Sequence, residues 1–311
     1  MKKILRSRLT RWGLLAVSLA FCAYAVAIHW QTTSADFAKI SPVAIVAALG
    51  CLLLGQLATL YVWRRLIAGL GTPLPVSAAA KILYVGQLGK YLPGAIWPVL
   101  ASMEIGTAYR VPRHRSASAS VLNMLCTLLM ALLLAAVTVP FAGVGGAYLW
   151  VLAATPFLLV CLYPPVLRWG MNRLLRLSRQ PELEVALSGR VLVSALTWSA
   201  VGWLLNGTQV FLLLPHHSAH GLLLSLGVFA FAWSVGFILP LPSGLGARDL
   251  LLIAGLTPLV GAPAATATAL VSRGLTTASD LICGGAAALA PRPPVLPAPD
   301  VESVTHGTAE H

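Results

Sequence analysis

Long apolar runs dominate this chain and limit the structures that it can adopt. A helix that rises about 1.5 Å per residue needs about 20 apolar residues to cross the roughly 30 Å hydrocarbon core of a bilayer. Because lipid offers the backbone no hydrogen-bond partners, segments that cross it form helices. We therefore predict an all-α polytopic membrane domain over residues 1–290, with about eight transmembrane helices. The candidate spans are 12–30, 41–63, 116–140, 147–167, 191–214, 221–240, 264–290 and a short one at 248–260.

The charged residues are few, and their distribution predicts how the chain lies in the membrane. They make up 10% of the 311 residues, whereas a soluble domain has about a quarter. Cytoplasmic loops of membrane proteins are enriched in Lys and Arg, and all 21 basic residues except Lys39 and Arg273 fall in segments that this rule places on one side. We predict cytoplasmic termini, a bacterial plasma membrane location, and anionic lipid rather than nucleic acid as the partner of the positive charge.

The remaining polar segments indicate neither a metal nor a cofactor, and we predict none. Residues 291–311 are rich in proline and polar side chains, which predicts a disordered cytoplasmic tail. His216, His217 and His220 have no acidic or cysteine ligand nearby in the sequence, so a solvated loop is favoured over a metal site. The basic start and first apolar run also fit a signal peptide, but the alternation of charge in the later loops favours a retained helix.

One apolar segment is interrupted by glycine and proline between residues 81 and 110 (KILYVGQLGKYLPGAIWPVLASMEIGTAYR). Proline removes a helix donor and glycine loosens the backbone, so Pro93 and Gly94 should break any helix that runs through them. A single crossing would also move one of the flanking basic loops to the opposite side of the membrane. We therefore predict a re-entrant or interfacial pair of helices here.

A second interruption, LPLPSGLGARDLLL, covers residues 239–252. Arg248 and Asp249 follow it at once, and the apolar run after them is too short to cross alone. Either these two charged residues lie within the membrane, or this piece is a half-helix. The residues that end the preceding span are Pro240, Pro242, Gly244 and Gly246.

Two broken helices at membrane depth indicate a polar cavity. Such breaks are tolerated where they are buried in protein or line a watery space, and a pair of them is the usual sign of a transport site. Free helix N termini attract anions, and Lys90 and Arg248 would add full positive charge beside them. We favour this cavity over the alternative that the prolines only mark turns between ordinary helices.

Other polar side chains within the candidate spans support a cavity. Ionisable groups in lipid are costly, so they face the bundle interior and usually pair. Arg273 and Asp280 lie seven residues apart, about two helical turns on one face. We predict that Arg273 pairs with Asp280 or Asp249, with or without contact to a substrate. The fifth span also carries two amides three residues apart, which favour helix–helix contacts over ligand binding. The uncharged polar residues of the spans include Gln56, Asn123, Asn206 and Gln209.

Three motifs, in order, resemble the lysylphosphatidylglycerol synthase transmembrane-region family, the flippase-like membrane domain of bacterial multiple-peptide-resistance proteins. GQLGKYLPGAIWP at 86–98 resembles the family's first motif. PLPSGLGARD at 240–249 resembles its Pro-Gly-Gly-Leu-Gly segment with the basic–acidic pair that follows, although Ser243 stands where the family often has glycine. LVSRGLTTASDL at 270–281 resembles its last helix.

The resemblance implies re-entrant helices around a cavity that handles anionic lipids, such as phosphatidylglycerol, or glycolipids. Glu104, an acid just past the first break, is unexpected beside an anionic headgroup. We predict no catalytic residue. The substrate-binding candidates are Lys90, Tyr91, Pro93, Gly94, Trp97, Glu104, Gly244, Gly246, Arg248, Asp249, Arg273 and Asp280.

The favoured function is a lipid or glycolipid translocase, and three alternatives stand beside it. A lipid-modifying enzyme would need a nucleophile or a paired acid and base, but Glu104, Asp249 and Asp280 are scattered, and we expect no aminoacyl-transferase domain after the membrane segments. A membrane subunit would hold a separately encoded envelope-lipid or glycan enzyme, with the basic loop 168–190 as its docking surface. A transporter of small solutes would need an ion relay, which the sequence does not indicate, and no nucleotide-binding loop is present.

Overall fold

The described part of the chain is built from helices. The computed structural model describes residues 39–92, 96–138, 187–239, 242–244 and 246–291, with single positions at 37 and between 156 and 173. None of these residues lies in a strand, which confirms the all-α prediction. The α-helices are α1 (Pro42–Gly69), α2 (Val76–Ala80), α3 (Trp97–Thr107), α4 (Arg113–Thr138), α5 (Gly189–Leu212), α6 (Ala219–Ile238), α7 (Ala247–Val260) and α8 (Ala262–Leu289).

Serine residues fix the beginnings of three of the long helices. The hydroxyl of Ser41 accepts a hydrogen bond from the Val43 amide at the start of α1. Ser188 and Ser218 cap α5 and α6 in the same way. A serine before an apolar run satisfies an amide that has no partner within its own helix. These caps explain why the helices begin within two residues of the predicted spans.

Four helices, α1, α4, α5 and α6, are long and apolar enough to cross a membrane. They correspond to the predicted spans 41–63, 116–140, 191–214 and 221–240, so the chain contains a multi-pass helical domain. Helix α8 covers the predicted span 264–290 with 28 residues but is not among the helices that are apolar enough to cross by this criterion. The predicted spans 12–30 and 147–167, the loop 168–190 and the tail 291–311 lie wholly or largely outside the described residues. The number of crossings and the side of the termini stay predictions.

Small residues allow α1 and α5 to approach closely. A methyl group added to Gly55 would lie 3.6 Å from the carbonyl oxygen of Gly202, and Ala58 lies on the same interface. The end of α1 meets the start of α5, where Gly69 contacts Leu187 and Val191, so the two helices are antiparallel. Small-residue contacts of this kind are the usual way in which membrane helices pack, because lipid provides no hydrophobic drive between them.

The first interruption folds into two short arms that pack side by side. A π-helical turn (Lys81–Val85) and a 3₁₀ turn (Leu88–Tyr91) form one arm, and α3 forms the other. Gly89 lies against the backbone of Trp97, and Gly86 lies against Pro98 and Ser102. The helix is therefore broken at the predicted place and folds back on itself, although Pro93 and Gly94 lie outside the described residues.

The second interruption also reverses the chain. Helix α6 ends at Ile238, and a 3₁₀ turn (Pro242–Gly244) leads to α7, which returns along α6 with Gly255 against Val228. Ser243, Gly244 and Gly246 all have positive φ, which glycine adopts without strain. The two 3₁₀ turns contact each other. The breaks, which are some 150 residues apart in sequence, thus form one structural unit.

Replacing Gly244 by alanine should destabilise this unit. An added methyl group would lie 2.9 Å from the Cα of Gly236, and the φ of +66° costs a residue with a side chain about 1–2 kcal/mol. The melting temperature of the purified variant in detergent should fall by several degrees. Gly274→Ala, in α8, is the matched control because, apart from its own helix backbone, no atom of the described residues lies within 4 Å of its added methyl group. Equal melting temperatures for the two variants would contradict the tight contact.

Candidate functional site

A cavity of about 230 Å³ opens inside the helical bundle. One water needs roughly 10–15 Å³ of such volume, so the space holds a ligand of several polar groups. Its wall is formed by both broken segments together with α1, α4, α5, α6 and α8. The wall includes the charged residues Lys90, Arg248 and Asp280 and the amides Gln56, Gln87, Asn123 and Asn206.

Asp280 connects three parts of the fold at this cavity. Its Oδ1 accepts a hydrogen bond from Gln56 Nε2 at 2.7 Å. Its Oδ2 accepts from the Tyr91 hydroxyl at 2.6 Å and lies 2.7 Å from Lys90 Nζ. Asp280 is 4% exposed, so these three donors replace the water that a carboxylate needs. Lys90 and Tyr91, predicted as substrate ligands, therefore tie the first break to α8.

Arg273 does not form the ion pair that its spacing predicted. Its Nη1 donates to the Ser243 carbonyl at 3.0 Å, whereas Asp280 pairs with Lys90. Asp249 does not form an ion pair with Arg273 either. Its carboxylate instead accepts a hydrogen bond from the Gly246 amide at 3.4 Å and caps α7. The prediction was wrong because helical spacing compares residues within α8 alone, whereas the folded breaks bring other partners to it. Arg273 thus holds the second break against α8.

Arg248 is a buried cation of the cavity wall that forms no ion pair with a carboxylate in the described part of the chain. It is 5% exposed and lines the cavity, and its Nε has no hydrogen-bond partner among the residues that the structure describes. The guanidinium lies 4.8 Å from the centre of the Phe229 ring, close enough for a cation–π contact. It follows directly after the first residue of α7, beside the partial positive charge of that helix N terminus. Positive charge therefore accumulates at this end of the cavity.

The other predicted residues divide between cavity wall and framework. Gly244 lines the cavity, and Gly246 is the N-cap residue just before α7. Trp97 begins α3, where its backbone packs on Gly89. Glu104 is 67% exposed and pairs with Arg113, outside the residues that line the cavity. The acid that was unexpected beside an anionic ligand is thus a surface residue.

Sequence reasoning missed the aromatic and hydroxyl parts of the wall. Trp203, Phe229 and Trp233 all line the cavity, and the centre of the Trp203 ring lies 6.2 Å from that of Phe229 and 5.0 Å from that of Trp233. Elsewhere on the wall Trp63 Nε1 donates to Ser120 Oγ, which lies 2.9 Å from Ser102 Oγ. Aromatic and hydroxyl residues are common in any membrane helix. Only their convergence in the folded structure identifies these as residues of the cavity wall. Asn206, predicted to join helices, lines the cavity and also lies against Gly55 of α1, and Gln209 joins helices by donating to Ser272.

The mouth of the cavity is apolar. Leu92 follows the first 3₁₀ turn and Leu239 follows α6, and both line the cavity while remaining exposed. A leucine on each broken segment therefore borders the opening, whereas Arg248 and Asp280 are buried. This arrangement admits a molecule with an apolar part outside and a polar part inside.

The fold and cavity define a multi-pass α-helical membrane domain with a polar interior site between two broken helices. Residues 12–284 match the family described as the lysylphosphatidylglycerol synthase TM region. The chain belongs to this family, as its three motifs indicated. None of the curated proteins compared with the sequence matches it.

The pair of Lys90 and Asp280 should behave as a coupled unit. Asp280→Asn leaves Lys90 without its buried carboxylate, so the melting temperature in detergent should fall. Adding Lys90→Gln to this variant should recover part of the lost stability. The interaction free energy between the two positions in the double-mutant cycle should be about 1–3 kcal/mol. The control cycle uses Glu104→Gln and Arg113→Gln, whose side chains are 67% and 57% exposed; it should give less than about 1 kcal/mol. Additive effects at Lys90 and Asp280 would contradict the pairing.

Proposed function

We propose that this chain is a lipid translocase that binds an anionic headgroup in the cavity. The observation that carries the proposal is the environment of Arg248. This cation is buried, its Nε donates no hydrogen bond within the described chain, and no described carboxylate lies at ion-pair distance from it. An unpaired buried cation is costly, and an intramembrane ionisable residue without a structural partner marks a binding site. A phosphate oxygen would complete its hydrogen bonds.

The charge of the cavity wall favours an anion over a cation. Lys90 neutralises the charge of Asp280, and Gln56 and Tyr91 donate hydrogen bonds to its two carboxylate oxygens. The carboxylate is therefore not available to a positively charged ligand, whereas Arg248 is available to a negative one. Arg273, which holds the neighbouring Ser243 carbonyl, adds to the positive field at that end.

A lipid is favoured over a free anion as the ligand because the opening of the cavity is bordered by apolar side chains. Leu92 and Leu239 would contact acyl chains that stay in the bilayer while the headgroup enters between the breaks. This requires both broken segments to lie at membrane depth as re-entrant elements, with their irregular backbone facing protein and cavity rather than lipid. The headgroup would then cross through the bundle without meeting the hydrocarbon core, and no chemical step is involved.

Transbilayer movement of acyl-labelled phosphatidylglycerol in proteoliposomes tests the proposal. An impermeant reductant that quenches label in the outer leaflet would measure the rate. Arg248→Gln should slow the movement at least about tenfold, because a charge-assisted hydrogen bond is lost. Arg248→Lys, which keeps the charge, should retain part of the rate.

The matched control is Arg113→Gln, which removes an exposed arginine that does not line the cavity. Its rate should equal that of the unmodified protein. Each variant is checked for a monodisperse elution profile before reconstitution. The proposal fails if the unmodified protein moves neither phosphatidylglycerol nor any other native anionic lipid.

A further inference from the structure

The ion pair between Lys90 and Asp280 joins two side chains that differ in their access to water. Their charged atoms lie 2.7 Å apart, yet the Lys90 side chain is 32% exposed and the Asp280 side chain is 3% exposed. A lysine can carry its ammonium group to water on a flexible stem, whereas a carboxylate inside a helical bundle cannot follow it. If this pair separates, Lys90 therefore reaches water while Asp280 stays buried.

The same pair holds the segment that borders the opening of the cavity. Lys90 and Tyr91 both bind Asp280 and thereby fix the first 3₁₀ turn to α8. Leu92, which borders the opening, follows Tyr91 directly in the chain. Loss of the contacts to Asp280 would therefore loosen the first break where the cavity opens.

Among the described residues, no cation other than Lys90 forms an ion pair with Asp280. Arg273 donates to the Ser243 carbonyl instead. Arg248 is near enough to interact with Asp280 electrostatically, but in the proposed complex the headgroup anion neutralises its charge. The ionised state of Asp280 then depends on Lys90. The groups near Asp280 that carry or can acquire charge, beside the neutral amide of Gln56 from α1, are Lys90, Tyr84 and Tyr91 of the first break, Arg248 and Asp249 of α7, and Arg273 and Cys283 of α8.

We infer that Asp280 is the binding site of a proton that accompanies the headgroup through the bundle. This rests on the proposed translocase function and names its coupling ion. When the first break opens with a headgroup on Arg248, Lys90 keeps its own proton and moves to water. A carboxylate left buried without a cation takes up a proton rather than remain charged. A proton from water thus bonds to an Asp280 oxygen, and it leaves when Lys90 returns. One monoanionic headgroup and one proton together carry no net charge, so their passage does not work against the membrane potential.

Reaction with a hydrophobic carbodiimide, which modifies protonated carboxyl groups, tests the proton site without any lipid movement. The full chain is labelled in detergent, and mass spectrometry measures the modified fraction of Asp280. At about pH 7, Lys90→Gln should raise that fraction at least about fivefold, because the buried carboxylate loses its cation. Arg113→Gln is the matched control, since it removes the partner of the exposed Glu104 and should leave the labelling of Asp280 unchanged. Equal labelling of Asp280 in the unmodified protein and in Lys90→Gln would overturn the inference.

Proteoliposomes that contain labelled phosphatidylglycerol and carry an imposed pH gradient test the coupling itself, with protein-free vesicles as the baseline. The lipid should accumulate in the leaflet that faces the more alkaline solution, by up to about tenfold per pH unit for one coupled proton. Asp280→Asn and the double variant Lys90→Gln/Asp280→Asn should both lose this response. Glu104→Gln, which removes an exposed carboxylate, should keep it.

The proton coupling and the translocase proposal fail in different ways. Rapid lipid movement that does not respond to the pH gradient would overturn the proton coupling and leave the translocase standing. If no anionic lipid moves, the translocase is contradicted and the coupling with it, whereas the labelling of Asp280 would still show whether this carboxylate takes up a proton when Lys90 is removed.

Discussion

The buried carboxylate of Asp280 is the interaction on which the arrangement of the bundle interior depends. It receives donors from α1 and from the first break while belonging to α8, so three segments distant in sequence meet at one side chain. In a low-dielectric interior, a carboxylate without such donors is strongly disfavoured. The fold therefore cannot place Asp280 where it lies unless Gln56, Lys90 and Tyr91 are also in place. Their convergence determines the position of the first break.

The same interaction decides how charge is distributed in the cavity. Since Lys90 is committed to Asp280, the two cations that flank the breaks are not equivalent. Arg248 is held against Phe229 by packing and has no carboxylate partner in the described residues, so the positive charge available to a ligand lies on the side of the second break. In the proposed translocase, a single arginine and a row of neutral polar groups would then recognise the headgroup.

The sequence predicted the parts of this site whose cause is local. The length of the apolar runs and the serine caps determine the helices, and glycine and proline determine where they break. The sequence alone therefore predicts the elements that carry Lys90 and Arg248. The pairing of Arg273 was predicted wrongly, because spacing along α8 does not reveal that Lys90 and the Ser243 carbonyl fold against that helix. The neutral polar part of the cavity wall, with Gln56, Asn123 and Asn206, depends on contacts between α1, α4 and α5 that no single segment specifies. Convergence of distant residues is what the sequence alone could not provide.

The attachment of both breaks to α8 has a mechanical consequence. Arg273 holds the second break and Asp280 holds the first, and their separation of seven residues corresponds to a rise of about 10 Å along the same face of one helix. A rotation of α8 about its axis would therefore move both 3₁₀ turns in the same direction. Since these turns also contact each other, neither can shift alone without straining the other. Helix α8 thus couples the two breaks mechanically, and Leu92 and Leu239, which adjoin these breaks, would move with it.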